Sequence, residues 1–248
     1  MSSPLAPAAR PLTLDEELLC CLGPGFPPLA ETDPDRIRRI ERELAAGFSA
    51  LAGVEKGVSI FGSARTPPGD PDYGLAREVA ARLGRTGFAV ITGGGPGVME
   101  AANRGAREAG ALSIGCNIEL PFEQHLNPYV DVALHFHYFF VRKVMFVRYA
   151  SAFVVFPGGF GTLDELFEAL TLIQTGKTRH FPVVLAGAEH WQGLLDWVRE
   201  RLLETGKVST DDLELLRASD DVDEICARVE EGYRRQREAS GSVEPDGR

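Results

Sequence analysis

Hydrophobic positions along the chain alternate between short, nearly continuous apolar runs and longer stretches with helical spacing. Gly57–Phe61 (GVSIF), Phe88–Thr92 (FAVIT), Leu112–Cys116, Val130–Phe136, Phe153–Phe156 and Pro182–Ala186 read as six buried strands. They are rich in β-branched and aromatic residues and bounded by Gly, Pro, Asp or Asn. Between them, helical patterns cover about 72–85, 98–109, 139–149 and the run from the last glycine loop to Gln174, with Gly87 and Gly110 just past the first two. Strands alternating with helices at this spacing predict an α/β fold, a Rossmann-like doubly wound parallel sheet. Helices are also expected at 14–22 and 35–51, the second with Ile37, Ile40, Leu44, Phe48 and Leu51 at helical spacing, and at 191–204 and 222–237. The expected organisation is a single domain over 13–238, with a core at 57–187, a helical arm at 13–53 and a helical tail at 188–238. Residues 1–12 and 239–248 are expected to be disordered.

Composition narrows the partners. With 248 residues, 44% of them hydrophobic, the chain can bury one sizeable core. A formal net charge of −10 argues against a nucleic-acid or anionic-membrane surface, so an anionic ligand needs a local nest of amides and cations. No apolar stretch approaches the ~18 residues of a membrane span, and the N-terminal MSSPLAPAARP lacks the apolar segment of a signal peptide. Cys20, Cys21, Cys116 and Cys226 show no metal-type spacing, which points to a reduced, cytoplasmic setting.

The candidate chemistry lies where strands end. In open parallel sheets, ligands bind beyond the carboxyl ends of the strands. Three such ends carry unusual loops: GSAR (62–65), TGGGPGVME (92–100) and PGGFGTLDE (157–165). Their glycines suit either tight turns with positive φ or a site where backbone N–H groups at helix N-termini hold an anion. The dinucleotide pattern G-x-G-x-x-G fails, since its last position falls on Val98 or Glu100, and no Gly-Lys-Ser/Thr follows either glycine loop. A mononucleotide or sugar phosphate remains. Thr162 and Glu165 have the spacing of a capping box, so Glu165 is either an N-terminal cap partner or a carboxylate facing the sugar. Asp164 and Glu165 would also suit the positive end of the helix dipole. Arg142 and Lys143 interrupt the apolar helix FFVRKVMFVRYA, either as snorkelling surface cations or as cations facing the ligand. His135 and His137 alternate on a strand without an evident third metal ligand. Tyr138, Phe139 and Phe140 are expected in the core, and Trp191 and Trp197 in helix packing.

PGGFGTLDE (157–165) resembles the PGGxGTxxE motif of the LOG family of cytokinin-activating nucleoside 5′-monophosphate phosphoribohydrolases. Arg142-Lys143, fifteen residues before Pro157, matches that family's Arg-Lys pair. GGGPGVMEAANRGA (93–106) and FGSAR (61–65) are similar to its upstream loops, and the resemblance spans roughly 57–186. The long ends resemble the longer class of the family. The resemblance implies hydrolysis of the N-glycosidic bond of AMP or N6-substituted AMP, with no metal or organic cofactor, in a homo-oligomer of at least two subunits. It further implies Arg142 and Glu165 as the catalytic pair. Ser63, Gly94, Gly95, Gly97, Lys143, Gly158, Gly159, Gly161, Thr162 and Thr171 would contact the substrate. Many members carry Met where this chain has Phe139, which leaves base preference open. Molybdenum-cofactor carriers look similar in fold and loops and supply a non-catalytic alternative.

Overall fold

Two layers of helices enclose a parallel sheet in the computed structural model, which describes residues 18–19, 32–120, 125–178 and 181–241. In chain order the elements are α1 (Asp33–Leu51), β1 (Gly57–Phe61), α2 (Pro71–Arg85), β2 (Ala89–Thr92), α3 (Val98–Glu108), β3 (Ser113–Ile118) and β4 (Val132–Phe136). There follow α4 (Phe139–Arg148), β5 (Phe153–Val155), α5 (Phe160–Gln174), β6 (Val183–Leu185), α6 (Ala188–Trp197), α7 (Thr210–Leu213), β7 (Leu216–Ala218) and α8 (Val222–Gly241). The helix expected at 14–22 falls within the described residues only at 18 and 19, which are helical, and the disorder expected for 1–12 lies outside them. At the other end α8 runs on to Gly241, and residues 242–248 lie outside the description.

All strand pairings are parallel, in the order β4-β3-β2-β1-β5-β6-β7. The sheet grows one way from β1 to β4 and the other way from β5 to β7, so the order reverses between β1 and β5. Successive side chains point to opposite sides, and β1, β2, β3, β5 and β6 are buried on both faces. The edge strand β4, expected to be buried, exposes Ala133 and His135, because no further strand or helix layer among the described residues covers that side fully. Val58, Ile60, Val154 and Phe156 pack with Val79, Val98, Ile225 and Val229 of α2, α3 and α8. Phe61, Phe153 and Val155 pack on the other face with Val141, Phe146, Leu166 and Trp191 of α4, α5 and α6. No helix among the described residues is long and apolar enough to cross a membrane.

Sequence pattern and structure differ where apolar content is thin. β7 is a three-residue edge strand with only Leu216 buried, so it leaves no apolar run to notice. The expected 191–204 helix starts at Ala188 and passes after Trp197 into a π-helical stretch, Val198–Leu203. Trp191 is buried and donates Nε1–H to the Ala186 carbonyl at 2.8 Å, whereas Trp197 is exposed. Phe139 and Phe140, expected in the core, are both partly exposed, while Tyr138 is buried.

Gly105 sets the closeness of the α2–α3 pair. A Cβ there would sit 2.1 Å from the Arg77 carbonyl oxygen, a backbone atom that cannot swing aside. Gly105→Ala is therefore expected to destabilise by about 3 kcal/mol, the upper end for overpacking. Gly74→Ala, where a Cβ meets nothing within 4 Å, is expected to stabilise by about 0.5–1 kcal/mol. Paired thermal melts check the opposite signs.

Candidate active site

The three unusual loops converge where the strand order reverses, between the carboxyl ends of β1 and β5. Hydrogen bonds stitch them together: Phe156 N–H donates to the Phe61 carbonyl (2.8 Å), Ser63 N–H to the Pro157 carbonyl (2.9 Å) and Val98 N–H to the Ser63 carbonyl (3.0 Å). The loop after β1 is thus held from both sides. Gly97 makes this approach possible, because its φ is +70° and a Cβ would lie 2.3 Å from the Ser63 oxygen. Behind the second loop, Asn127 Nδ2 donates to the Gly94 and Gly95 carbonyls and to Asn103 Oδ1, at 2.8 to 3.1 Å. Asn103 Oδ1 in turn accepts from Thr92 Oγ1 (2.7 Å). This satisfied buried network fixes the glycine loop from the side away from the pocket.

The third loop corrects the capping expectation. The N-cap of α5 is Gly159, with no side-chain cap, and the helix begins at Phe160. Thr162 therefore lies inside the first turn and Glu165 in the second, too far along to close a capping box, and the first turn holds no acidic residue. Nor do Gly158, Gly159 and Gly161 have the positive φ of a tight turn; among the loop glycines that geometry belongs to Gly94 and Gly97. Gly158 is needed for a close approach instead, since a Cβ would fall 2.1 Å from Thr162 Oγ1. The first N–H groups of a helix have no intrahelical acceptor. Here they belong to Phe160 and Gly161, and the helix dipole adds to their attraction for an anion.

Glu165 is only 3% exposed, and its Oε1 has no hydrogen-bond partner among the described residues. Arg142 Nη2 faces that oxygen at 3.9 Å, beyond hydrogen-bonding distance. Arg142 is largely buried, its side chain 13% exposed and turned toward Glu165 and not to bulk solvent, and its Nε also lacks a partner among the described residues. Burial pushes the Glu165 carboxyl up to about 7, against the pull of Lys143 and Arg142 and with help from Glu168 and Asp164. Burial also pushes the Arg142 guanidinium below its ordinary value, opposed by Glu165. A guanidinium nevertheless remains charged. Lys143 takes a different position. Its Nζ lies 2.7 Å from Glu168 Oε2, 2.8 Å from Asp164 Oδ2 and 3.8 Å from Glu165 Oε2. Burial alone would lower the ammonium, but the hydrogen bonds it donates to Asp164 and Glu168 outweigh that and hold Lys143 above its ordinary value.

A cavity of about 650 Å³ opens over this pair. Of the residues expected to act, Ser63, Arg142, Gly159, Gly161, Thr162 and Glu165 line it. Gly94, Gly95, Gly97, Gly158 and Lys143 stand outside its lining, in roles that shape the loops or bracket Glu165. Thr171 is farther still: it donates Oγ1–H to the Phe167 carbonyl (2.7 Å) and lines a separate 110 Å³ cavity with Leu202 and Leu216. Phe139, tied to base preference by the resemblance, is on the wall; sequence reasoning missed Arg65, an exposed cation there, and the apolar residues Met99, Ile118 and Leu120. Arg65 stood within the GSAR motif and carried a signal; the apolar wall did not, because its members come from separate segments, the start of α3, the end of β3 and the start of α4. Phe160, 92% exposed at the start of α5, also borders the cavity. His137 is engaged elsewhere, with Nδ1 2.7 Å from Glu43 Oε1 and Nε2 2.8 Å from Glu119 Oε2. Among the described residues, no group of three metal-ligating side chains converges.

Residues 99–229 match the model of a protein family described as possible lysine decarboxylase. Over 151 residues the chain is 34% identical to a cytokinin riboside 5′-monophosphate phosphoribohydrolase of Mycobacterium tuberculosis, covering 60% of this chain and 80% of that one. Over 150 residues it is 30% identical to a pyrimidine/purine nucleotide 5′-monophosphate nucleosidase of Escherichia coli, covering 55% of this chain and 33% of that one. Among solved structures, a Moco carrier protein from Chlamydomonas reinhardtii superposes with a TM-score of 0.51 at 26% identity, covering 73% of this chain and 97% of that one.

Proposed function

Since the chain belongs to the LOG family of phosphoribohydrolases, we propose that it hydrolyses the N-glycosidic bond of nucleoside 5′-monophosphates, with AMP and N6-substituted AMP as substrates. The products are free base and ribose 5-phosphate. The single observation that carries this reading is the largely buried Glu165–Arg142 pair, both members short of hydrogen bonds, in a cavity that the N-terminal residues of α5 also line.

The phosphate is received by the amides at the start of α5, with Ser63, Thr162 and Arg65 around them. That grip positions the sugar over Glu165. Glycosidic cleavage develops an oxocarbenium-like cation on the ribose. The Glu165 carboxylate stabilises this cation and orients the attacking water, whose proton it is placed to accept. Lys143 and Arg142 favour the ionised Glu165, and Arg142 donates hydrogen bonds toward the departing base or the ribose. Its pKa makes it a poor proton donor, so the departing base takes its proton from solvent while Glu165 returns the water's proton there. The base lies against Met99, Ile118, Leu120 and Phe139. Lysine-based decarboxylation draws no support from these residues. A Schiff-base lysine needs a depressed pKa, and Lys143 is held in the opposite direction by two carboxylates.

The working assembly is taken as at least a dimer, because Phe140 and Val144 of α4 and Phe160 and Phe167 of α5 leave apolar side chains exposed on the two helices that carry Arg142 and Glu165. Incubating the purified protein with AMP, isopentenyl-AMP and CMP, and following free base and ribose 5-phosphate by HPLC, tests the activity. Release from AMP and its N6-substituted analogue is expected. Failure to release base from any nucleoside monophosphate, together with a tightly held molybdenum cofactor on purification, would favour a carrier instead.

A further inference from the structure

We propose that Phe139 is a positioning residue for Arg142, its ring acting with that of Phe146 to hold the guanidinium in place opposite Glu165. The inference rests on the reading of Arg142 and Glu165 as the reacting pair. Buried arginines are usually oriented by hydrogen bonds to carboxylates or carbonyls. Arg142 lacks that support: its Nε is unpartnered and its Nη2 stops 3.9 Å short of Glu165 Oε1. What surrounds it is aromatic. The centre of the guanidinium lies 5.0 Å from the Phe139 ring centroid and 5.5 Å from that of Phe146. The spacing follows from helix geometry, since Phe139 precedes Arg142 by three residues and Phe146 follows it by four, placing all three on one face of α4.

The two rings are not equivalent. Phe146 is fully buried and braced edge-on by Phe61 (4.9 Å, 80°), which is itself packed edge-on against Phe153 (4.8 Å). It forms a fixed wall. Phe139 is 38% exposed, stands at the first position of α4 and lines the cavity. It completes the seat from the substrate side. Ring faces attract a desolvated cation without consuming its N–H donors. The clamp therefore fixes where the guanidinium sits and leaves its hydrogen bonds for the substrate and for Glu165. An aliphatic side chain at 139 would fill similar space without the negative ring face, and the guanidinium would drift from Glu165.

The test compares wild type with Phe139→Met, Phe139→Leu and Phe139→Tyr, using AMP and CMP as substrates across pH 5 to 9. The Met and Leu variants are expected to lose about tenfold in kcat on both bases alike, with KM little changed, and Tyr to retain near-normal turnover. The acidic limb of kcat/KM should also move to higher pH in the Met and Leu variants. Arg142 and Lys143 from α4 favour the ionised Glu165, Asp164 and Glu168 from α5 oppose it, and only the Arg142 contribution is weakened. The same coupling is readable without substrate, because the pH range over which melting temperature falls should extend upward in the Met and Leu variants. A change in KM that differs between AMP and CMP, with kcat and the acidic limb unmoved, would make Phe139 a wall for the base and overturn the proposal. Unaltered pH dependence of melting would overturn it as well. A wild type inactive on every nucleotide would instead count against the hydrolase reading, and the melting comparison would still decide the clamp.

Discussion

Glu165→Gln is expected to lower kcat by about 10³-fold and, at pH 8, to raise the melting temperature. The first effect follows from removing the carboxylate that faces the ribosyl cation and accepts the proton of water. The second follows from linkage. The unfolded carboxyl titrates near 4.5, whereas burial in the folded chain pushes it up to about 7. Between these values the folded state holds a proton that the unfolded state has released, so stability declines as pH rises through the window. Above pH 7 the whole deficit is present, on the order of 3 kcal/mol. Glutamine carries no charge to desolvate. The variant should match wild type at pH 5 and melt roughly 5–10 °C higher at pH 8. Calorimetry at the two pH values, beside single-substrate kinetics, checks both halves. A variant that keeps near-normal turnover, or whose melting difference is the same at both pH values, would remove Glu165 from its assigned role.

Arg142→Met should produce the opposite stability signature. Methionine fits the space between two aromatic rings but leaves Glu165 with Lys143, 3.8 Å from its Oε2, as the one cation beside it among the described residues. Removing one member of a buried pair costs about 3 kcal/mol when the remaining charge is left alone; with Lys143 still beside Glu165 a smaller loss, on the order of 1–2 kcal/mol, is expected. That loss applies only while Glu165 is ionised, so the variant should be most destabilised above pH 7 and nearer wild type at pH 5. Turnover is expected to fall by about 10²-fold, with the acidic limb of kcat/KM displaced upward as the Glu165 carboxyl loses a stabilising neighbour. The double variant should be little slower than Glu165→Gln alone, since the two residues act as one unit. A stability loss independent of pH would mean that Arg142 serves packing and not the charge of Glu165.

Much of this arrangement can be read from residues in order. The succession of β1 to β6 along the chain, the parallel sheet and the three loops at its edge follow from apolar runs punctuated by Gly and Pro, and all of these strands but the half-exposed edge strand β4 are covered on both faces. The pairing of Arg142-Lys143 with PGGFGTLDE likewise pointed to two helices that meet at one cavity. Elements without such a signal went unnoticed: β7 buries one residue of three, and the π-helical turn at Val198–Leu203 differs from an α-helix in hydrogen bonding, not in composition.

What linear order could not assign was the role of residues whose spacing suits two structures equally. Thr162 and Glu165 have the interval of a capping box, and only the start of α5 at Phe160 removes that use and leaves Glu165 buried with an unpartnered oxygen. Arg142 and Lys143 are adjacent in sequence, yet a step of about 100° around the helix sends one into the cavity and the other to Asp164 and Glu168. Thr171 and Thr162 share a helix but line different cavities. Local patterns determine which element forms, because they act over one or two turns of chain. Burial, charge pairing and the raised carboxyl of Glu165 depend on α4, α5 and the β1 loop meeting in space, and that is set by the packing of the whole sheet.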